Sequence, residues 1–206
     1  MKQPEFRVKK FALAALTTLL LAGCAQVGAA ATVGDTKITQ ATVQASIDAV
    51  LAERKKVDTA QMQLETGEIL NRSQLRFHLL GTLLRELGSE LKLSVSKAEI
   101  DTRRASIVDQ VGGAKQLPSA LVGAGISLGD LDLYIEAITF SEKISKALLG
   151  SGLTEDQVGA ELQKLVIAKA KEIGVTVNPR YGKWDAKTAE VVATDAAGSA
   201  VTPSDK

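Results

Sequence analysis

Residues 68–93 read EILNRSQLRFHLLGTLLRELGSELKL and form the longest helical pattern in the chain. Leucines recur in this stretch at spacings of three and four residues, namely Leu79, Leu80, Leu83, Leu84, Leu87 and Leu91. In an α-helix these spacings bring side chains to one side, so the leucines predict a long helix with a broad apolar face. The stretch therefore favours a fold built mainly of helices.

Shorter helices are predicted on both sides of this stretch. Thr39 can cap a helix that ends in a basic run at 54–56 and carries Val43, Ile47, Val50 and Leu51. Helix-start signals recur further along, at Ser96-x-x-Glu99, Ser127-x-x-Asp130 and Thr154-x-x-Gln157. The helix after Ser96 is expected to turn four apolar residues inward, Ile100, Ile107, Val108 and Val111. Glycines at 112–113, 150, 152 and 174 predict where these helices end.

Strand signals stand at the two ends of the helical region. Thr32-Val33 and Lys37-Ile38 flank Gly34-Asp35, which suits a type II′ hairpin turn, and 175–177 (VTV) alternates like a strand. An isolated strand leaves backbone groups unpaired, so these distant strands are expected to pair. The sequence therefore predicts a mainly α domain over 32–185, closed by a small β-sheet that pairs its N- and C-terminal strands.

The N-terminus has the pattern of an export signal. A basic segment with Lys2, Arg7, Lys9 and Lys10 precedes the uncharged run 11–22, which is too short to span a bilayer but suits a signal peptide. The run ends in Leu21-Ala22-Gly23-Cys24, which resembles the lipobox of bacterial lipoproteins. We therefore predict a signal peptide over 1–23, cleavage between Gly23 and Cys24, and lipid attachment at Cys24. The alternative is a plain secretory peptide in which this Cys is incidental.

The composition restricts the chemistry that the chain can perform. It has 206 residues with one Cys and one His, too few for a Cys/His zinc site, and no disulfide can form within it. Without 1–23, the remaining 183 residues carry 21 basic and 23 acidic side chains, a net charge of −2. Neither a metal, a cofactor nor nucleic acid is expected as a ligand. The small residues of 24–31 are predicted to form a lipidated tether, and 186–206 a disordered tail.

Several residues are of types that can form functional sites. His78 lies in the leucine-rich stretch without a second His or a free Cys, so a core or surface role is predicted. The loop 123–127 lacks the Gly-Lys-Ser/Thr ending of a phosphate loop and is interpreted as a helix stop followed by a helix start. Surface charge is predicted for scattered acidic and basic residues, namely Glu65, Glu68, Glu86, Glu90, Lys55, Lys56, Arg103 and Arg104.

Arg180, Tyr181 and Trp184 follow the last predicted strand. Their favoured role is to pack that strand onto the helices. The alternative is a partner-binding surface, because Trp, Tyr and Arg are enriched at protein interfaces.

Five segments together resemble a known family. The opening 31–39 (ATVGDTKIT) is similar to the "A-V-V-N-G-x-x-I-T" start of the N-terminal chaperone module of the SurA and PrsA foldases. The stretches 94–100, 117–121 and 125–131 resemble that module's helix, short insert and next helix start. The end, 175–185 (VTVNPRYGKWD), resembles the closing strand of SurA-like lipoproteins from actinobacteria.

This resemblance implies a SurA N-terminal-like helical domain with a chaperone function. About 20 residues follow Trp184, so the parvulin-type isomerase domain of the full-length foldases is not expected here, and neither is an enzymatic activity. The expected protein is a holdase that binds unfolded exported polypeptides without ATP. It would be held by its lipid on the extracytoplasmic face of a bacterial membrane. The alternative is a scaffold lipoprotein that binds one specific envelope partner.

Overall fold

The computed structural model describes residues 27–194, and their fold is mainly helical with two small antiparallel sheets. The predicted signal peptide, with Gly23 and Cys24, lies outside the described residues. Strands β1 (Ala29–Val33) and β2 (Thr36–Thr39) form a hairpin that leads into helix α1 (Gln40–Arg54). Thr39 caps α1 as predicted, its hydroxyl accepting a hydrogen bond from the Thr42 amide at 3.0 Å.

The long central helix is α2 (Gly67–Glu90), which matches the prediction apart from its last turn. Three further helices follow, α3 (Lys97–Gln110), α4 (Leu117–Gly123) and α5 (Leu131–Gly150), and a 3₁₀ turn at Leu128–Asp130 precedes α5. Helix α6 (Glu155–Ile173) leads into β3 (Val175–Val177), β4 (Lys183–Asp185) and β5 (Glu190–Val192). The capping box at Ser96 and Glu99 is confirmed, with the Glu99 carboxylate accepting from the Ser96 amide at 2.8 Å.

The predicted pairing of the chain's two ends is confirmed. β1 pairs with β2 on one side and with β3 on the other, and Thr32 lies opposite Thr176. Gly34 has a φ of +54° and Asp35 has no positive φ, as a type II′ turn requires. The Gly34 amide donates to the carbonyl of Gly174, the residue that ends α6, at 2.8 Å. The sheet thus fastens the end of the last helix to the start of the domain.

Two predicted boundaries are wrong. Ala29, Ala30 and Ala31, assigned to the tether, are buried residues of β1, so the fold begins earlier than 32. Residues 186–194, assigned to the disordered tail, continue the fold, because β5 pairs with β4 and buries Ala189 and Val191 against α2. Both predictions were based on a high content of small residues. Such residues occur in flexible segments but also pack closely in a β-sheet, so their content alone does not distinguish the two.

The core is divided into two clusters. The larger lies around α2, α1, α6 and the sheets, with Leu75, Leu79 and Leu83 fully buried. The smaller lies between α3, α4 and the start of α5. Helix α3 has no fully buried residue, so the four apolar residues expected to turn inward are only half-buried. Leu51 and Leu91, predicted on apolar faces, are more than two-fifths exposed.

Candidate functional site

A groove of about 570 Å³ lies between α2 and α5. Its other walls come from the loop at 63–65 and from the turn at 123–126. Helices α2 and α5 pack against each other, and small residues on both, Gly81 and Ala137, are among those that line the groove. A volume of this size falls in the range of about 300–1,000 Å³ that is usual for ligand-binding sites.

The floor of the groove is apolar. It consists of half-buried side chains from both helices, namely Phe77, Leu80, Leu84, Tyr134 and Ile138. Leu80, Leu84 and Tyr134 also pack against the core clusters, whereas Phe77 and Ile138 belong to neither cluster. Each helix presents its residues at spacings of three and four, so both contribute a stripe of apolar surface to the same groove. Such a surface can bind apolar side chains by removing them from water.

Hydrogen bonds hold the walls of the groove in place. The buried Gln74 amide on α2 donates from Nε2 to the Gly125 carbonyl at 2.8 Å, which fixes the turn after α4 against α2. Ser127, also buried, accepts from the Asp130 amide at 3.1 Å and starts the next helical segment. The loop at 63–65 is tied to α1 because Arg54 donates from Nη1 to the Glu65 carbonyl at 2.7 Å.

One end of the groove is charged. Arg54, Glu65 and Arg76 line it there, and Arg76 forms an ion pair with Glu190 of β5 at 2.9 Å. The Nε atom of Arg54 is buried and has no hydrogen-bond partner within the described part of the chain. The groove thus combines an apolar floor with a half-buried cation at one end.

A second cleft, of about 460 Å³, lies between α3 and α5 and is polar. Ion pairs cross it, from Lys143 to Glu99 at 2.6 Å and from Arg103 to Glu142. The hydrogen bonds that Lys143 and Ser96 donate to Glu99 lower the pKa of that carboxyl to about 2. Because four of its five charged side chains are already in ion pairs, with Lys146 as the fifth, this cleft is a weaker candidate for a binding site than the groove.

The residues proposed from the sequence as a partner-binding surface do not form one. Tyr181 is 5% exposed and belongs to the main core cluster, Trp184 is half-buried against that cluster, and only Arg180 is exposed. Their favoured role, packing the last strands onto the helices, is the one that the structure supports. Tyr181 is held in the turn after β3, where its amide donates to the Asn178 carbonyl at 2.9 Å.

His78 lies in the core, which is one of the two roles predicted for it, the other being at the surface. It is 7% exposed, and its Nε2 atom is 2.9 Å from the Ser46 hydroxyl on α1. Burial lowers the pKa of the imidazole, and the negative charge of Asp130 opposes this effect only in part. The ring is therefore neutral at pH 7 and connects α2 to α1 through one hydrogen bond.

The loop at 123–127 has the structure predicted for it, a helix stop followed by a helix start. The predicted surface charges are also confirmed in part, because Lys55 and Lys56 are exposed. Arg103 and Arg104 join α3 to α5 through ion pairs with Glu142 and Asp132. Among residues 27–194, no group of three or more His, Cys, Asp or Glu side chains is arranged to hold a metal ion.

Comparison with protein-family models, with curated proteins and with solved structures found no match. Within the part of the chain that the structure describes, no helix combines the length and apolar character needed to cross a bilayer. The sequence pattern placed Leu80 and Leu84 on the broad apolar face of α2 but did not predict a groove, and Phe77, Tyr134 and Ile138 were not predicted as site residues. The signal that could have found the groove is the position of Phe77 beside this face, three residues before Leu80.

Proposed function

We propose that this protein is an extracytoplasmic holdase-type chaperone, attached to the membrane through acylated Cys24, which binds unfolded exported polypeptides without ATP. The observation that carries the proposal is the groove between α2 and α5, with its apolar floor at the protein surface. The resemblance of the sequence to the chaperone module of SurA and PrsA foldases supports the same function. We propose that the groove binds polypeptides and catalyses no reaction.

The size of the groove suits a short segment of an unfolded chain. A volume of about 570 Å³ takes a few side chains and is too small for a folded domain. The floor offers aliphatic and aromatic carbon from two helices, which favours segments by their apolar character rather than by one sequence. Weak, general binding of this kind is what a holdase needs, because a client has to leave in order to fold.

The geometry of α1 suits a protein anchored by its N-terminus. The Gln40 amide, at the start of α1, donates to the Gly28 carbonyl, which lies four residues after Cys24. Arg54, at the other end of the helix, lines the groove. A helix of 15 residues is about 21 Å long from its first to its last residue, so the groove end near Arg54 lies well away from the chain's anchoring end.

The test is aggregation of a chemically denatured client, followed by light scattering, with the chain from residue 24 onward added at near-stoichiometric amounts. We expect slower aggregation with the wild-type protein and loss of that effect in Phe77→Gln and Ile138→Gln. Ile69→Gln is the matched control, because Ile69 lies on α2, is 54% exposed and does not line the groove. No suppression with several unrelated clients would refute the proposal.

Two further measurements separate the alternatives. A pull-down from an envelope extract that is dominated by one folded protein favours a dedicated scaffold over a holdase. A prolyl-peptide isomerisation rate above that of buffer favours an enzyme. Attachment through Cys24 is tested by mass spectrometry of the protein isolated from bacterial membranes. We expect acyl chains on an N-terminal Cys24 in the wild-type protein and none in Cys24→Ser.

A further inference from the structure

We infer that the groove between α2 and α5 binds apolar polypeptide segments that carry a carboxylate, which pairs with Arg54 at the groove's charged end. The inference rests on the proposed function and specifies the class of segment that is bound. Its starting point is the environment of Arg54, whose guanidinium is half-buried at the groove wall.

Arg54 has no carboxylate partner within ion-pair distance among residues 27–194. Its Nη1 atom donates to the Glu65 backbone carbonyl at 2.7 Å, and its buried Nε atom donates to nothing in the described chain. That carbonyl and the negative end of the α1 dipole offer only partial charges. An arginine in this state can still form charge-assisted hydrogen bonds with an incoming carboxylate.

The other charges near the groove are paired with another side chain, outside its lining or exposed. Arg76 is paired with Glu190, and the carboxylate of Glu53, next to Arg54 in sequence, accepts from the Leu128 amide at 2.9 and 3.1 Å. The side chain of Glu65 is exposed to solvent, whereas Arg54 is half-buried. Water and salt therefore screen the repulsion between Glu65 and a bound anion more strongly than the attraction between Arg54 and that anion. The unbalanced charge that faces an occupant of the groove is therefore positive.

The floor and this charge together define the occupant. Apolar side chains of a bound segment contact Phe77, Leu80 and Ile138, while an Asp, a Glu or a terminal carboxylate of the same segment reaches Arg54. A purely apolar segment would leave the Arg54 charge without a partner while covering it from water, which costs free energy. A basic segment would place like charges together.

The experiment uses fluorescence anisotropy with labelled nine-residue peptides in which Leu and Phe alternate with Ser. Each pair consists of an Asp peptide and an otherwise identical Asn peptide, all with blocked termini. In one pair the Asp or Asn is at the N-terminal end and in the other at the C-terminal end, so that either direction of binding is covered. In the pair that matches the direction of binding, we expect the wild-type protein to bind the Asp peptide about tenfold more tightly than the Asn peptide at low salt. In Arg54→Gln the two affinities should become equal, with the Asn peptide unaffected.

Lys55→Gln is the matched control, because it removes the same charge from the neighbouring exposed position and should leave the Asp preference unchanged. Arg54→Lys keeps the charge and should retain part of the Asp preference. This result would show that loss of the preference in Arg54→Gln is due to the lost charge and not to misfolding. In the wild-type protein itself, the preference should shrink at high salt.

Each other outcome overturns a stated part of the idea. Equal binding of the Asp and Asn peptides to the wild type refutes the carboxylate inference and leaves the holdase proposal intact. Absence of binding by every peptide refutes the proposed function as well. If sedimentation shows a dimer that Phe77→Gln dissociates, the occupant of the groove is a second copy of this chain and the inference is wrong.

Discussion

Gly88 on α2 lies directly against the ring of Phe140 on α5, so closely that a Cβ atom added to Gly88 would overlap the ring carbons Cδ1 and Cε1. Both residues are buried, and Phe140 is 4% exposed. This contact sets how near the two helices approach each other beyond the groove. The absence of a side chain at one position is therefore a requirement of the helix packing.

We expect Gly88→Ala to lower the free energy of unfolding by roughly 1–3 kcal/mol, because the added methyl group overpacks a closed interface. Gly159→Ala is the matched control. It makes the same substitution in α6 at an exposed site where an added Cβ meets nothing within 4 Å, and it should stabilise the protein by about 1 kcal/mol through helix propensity. Urea unfolding followed by circular dichroism measures both. Equal effects of the two substitutions would contradict the packing described for Gly88.

The last hairpin provides a test of the corrected domain boundary. Val191 is 7% exposed in the core, whereas its neighbour Val192 is 38% exposed. Val191→Ala should cost roughly 2 kcal/mol of stability, because two buried carbon atoms and their contacts are lost. Val192→Ala should change stability by less than about 0.5 kcal/mol. If both substitutions were silent, β5 would not be part of the folded domain.

His78 predicts a pH dependence of stability near neutrality. Burial lowers its pKa below the ordinary value of 6.5, so the folded state takes up a proton less readily than the unfolded state. The contribution of His78 to the free energy of unfolding is therefore fully present above about pH 6.5. It falls as the pH drops from there toward the lowered pKa of His78 in the folded protein, and below that pKa it no longer changes. Urea midpoints measured between pH 7.5 and 5 should show this decline.

His78→Gln is the comparison for that measurement. An amide can still hydrogen-bond to the Ser46 hydroxyl but does not titrate, so the part of the decline due to the imidazole should disappear. A decline of unchanged size in the variant would assign the pH dependence to other groups.

Glu99 predicts a second pH window, at lower pH. Hydrogen bonds from Lys143 and Ser96 lower its pKa from 4.5 to about 2. A carboxyl whose pKa is lower in the folded than in the unfolded protein stabilises the fold when the pH is above its unfolded-state pKa. That contribution is lost as the pH falls from about 4.5 to about 2. A titration of the carboxyl carbons by NMR should place Glu99 well below the other glutamates. A Glu99 value near 4.5 would show that the contact with Lys143 does not persist in solution.

The helical part of the fold could be predicted from local signals. Thr39, the Ser96–Glu99 capping box and the glycine at 174 act within one turn of chain, so their effect does not depend on distant residues. The pairing of β1 with β3 was also predictable, because each strand signal needed a partner and only distant ones remained. The β4–β5 hairpin was not, since its strands of three residues carry too little alternation to be recognised.

The sequence by itself determined the order of the helices and most of their ends, the closing sheet, and the burial of His78 as one of two options. Only the tertiary structure decided which of the apolar residues are covered. Tyr181 became core because β4 and β5 fold back onto α2, whereas Phe77 and Ile138 stayed half-buried because they line the open groove between α2 and α5. Local signals act between neighbours along the chain, but exposure depends on what other elements place over a side chain, and that is fixed only when the whole domain is packed.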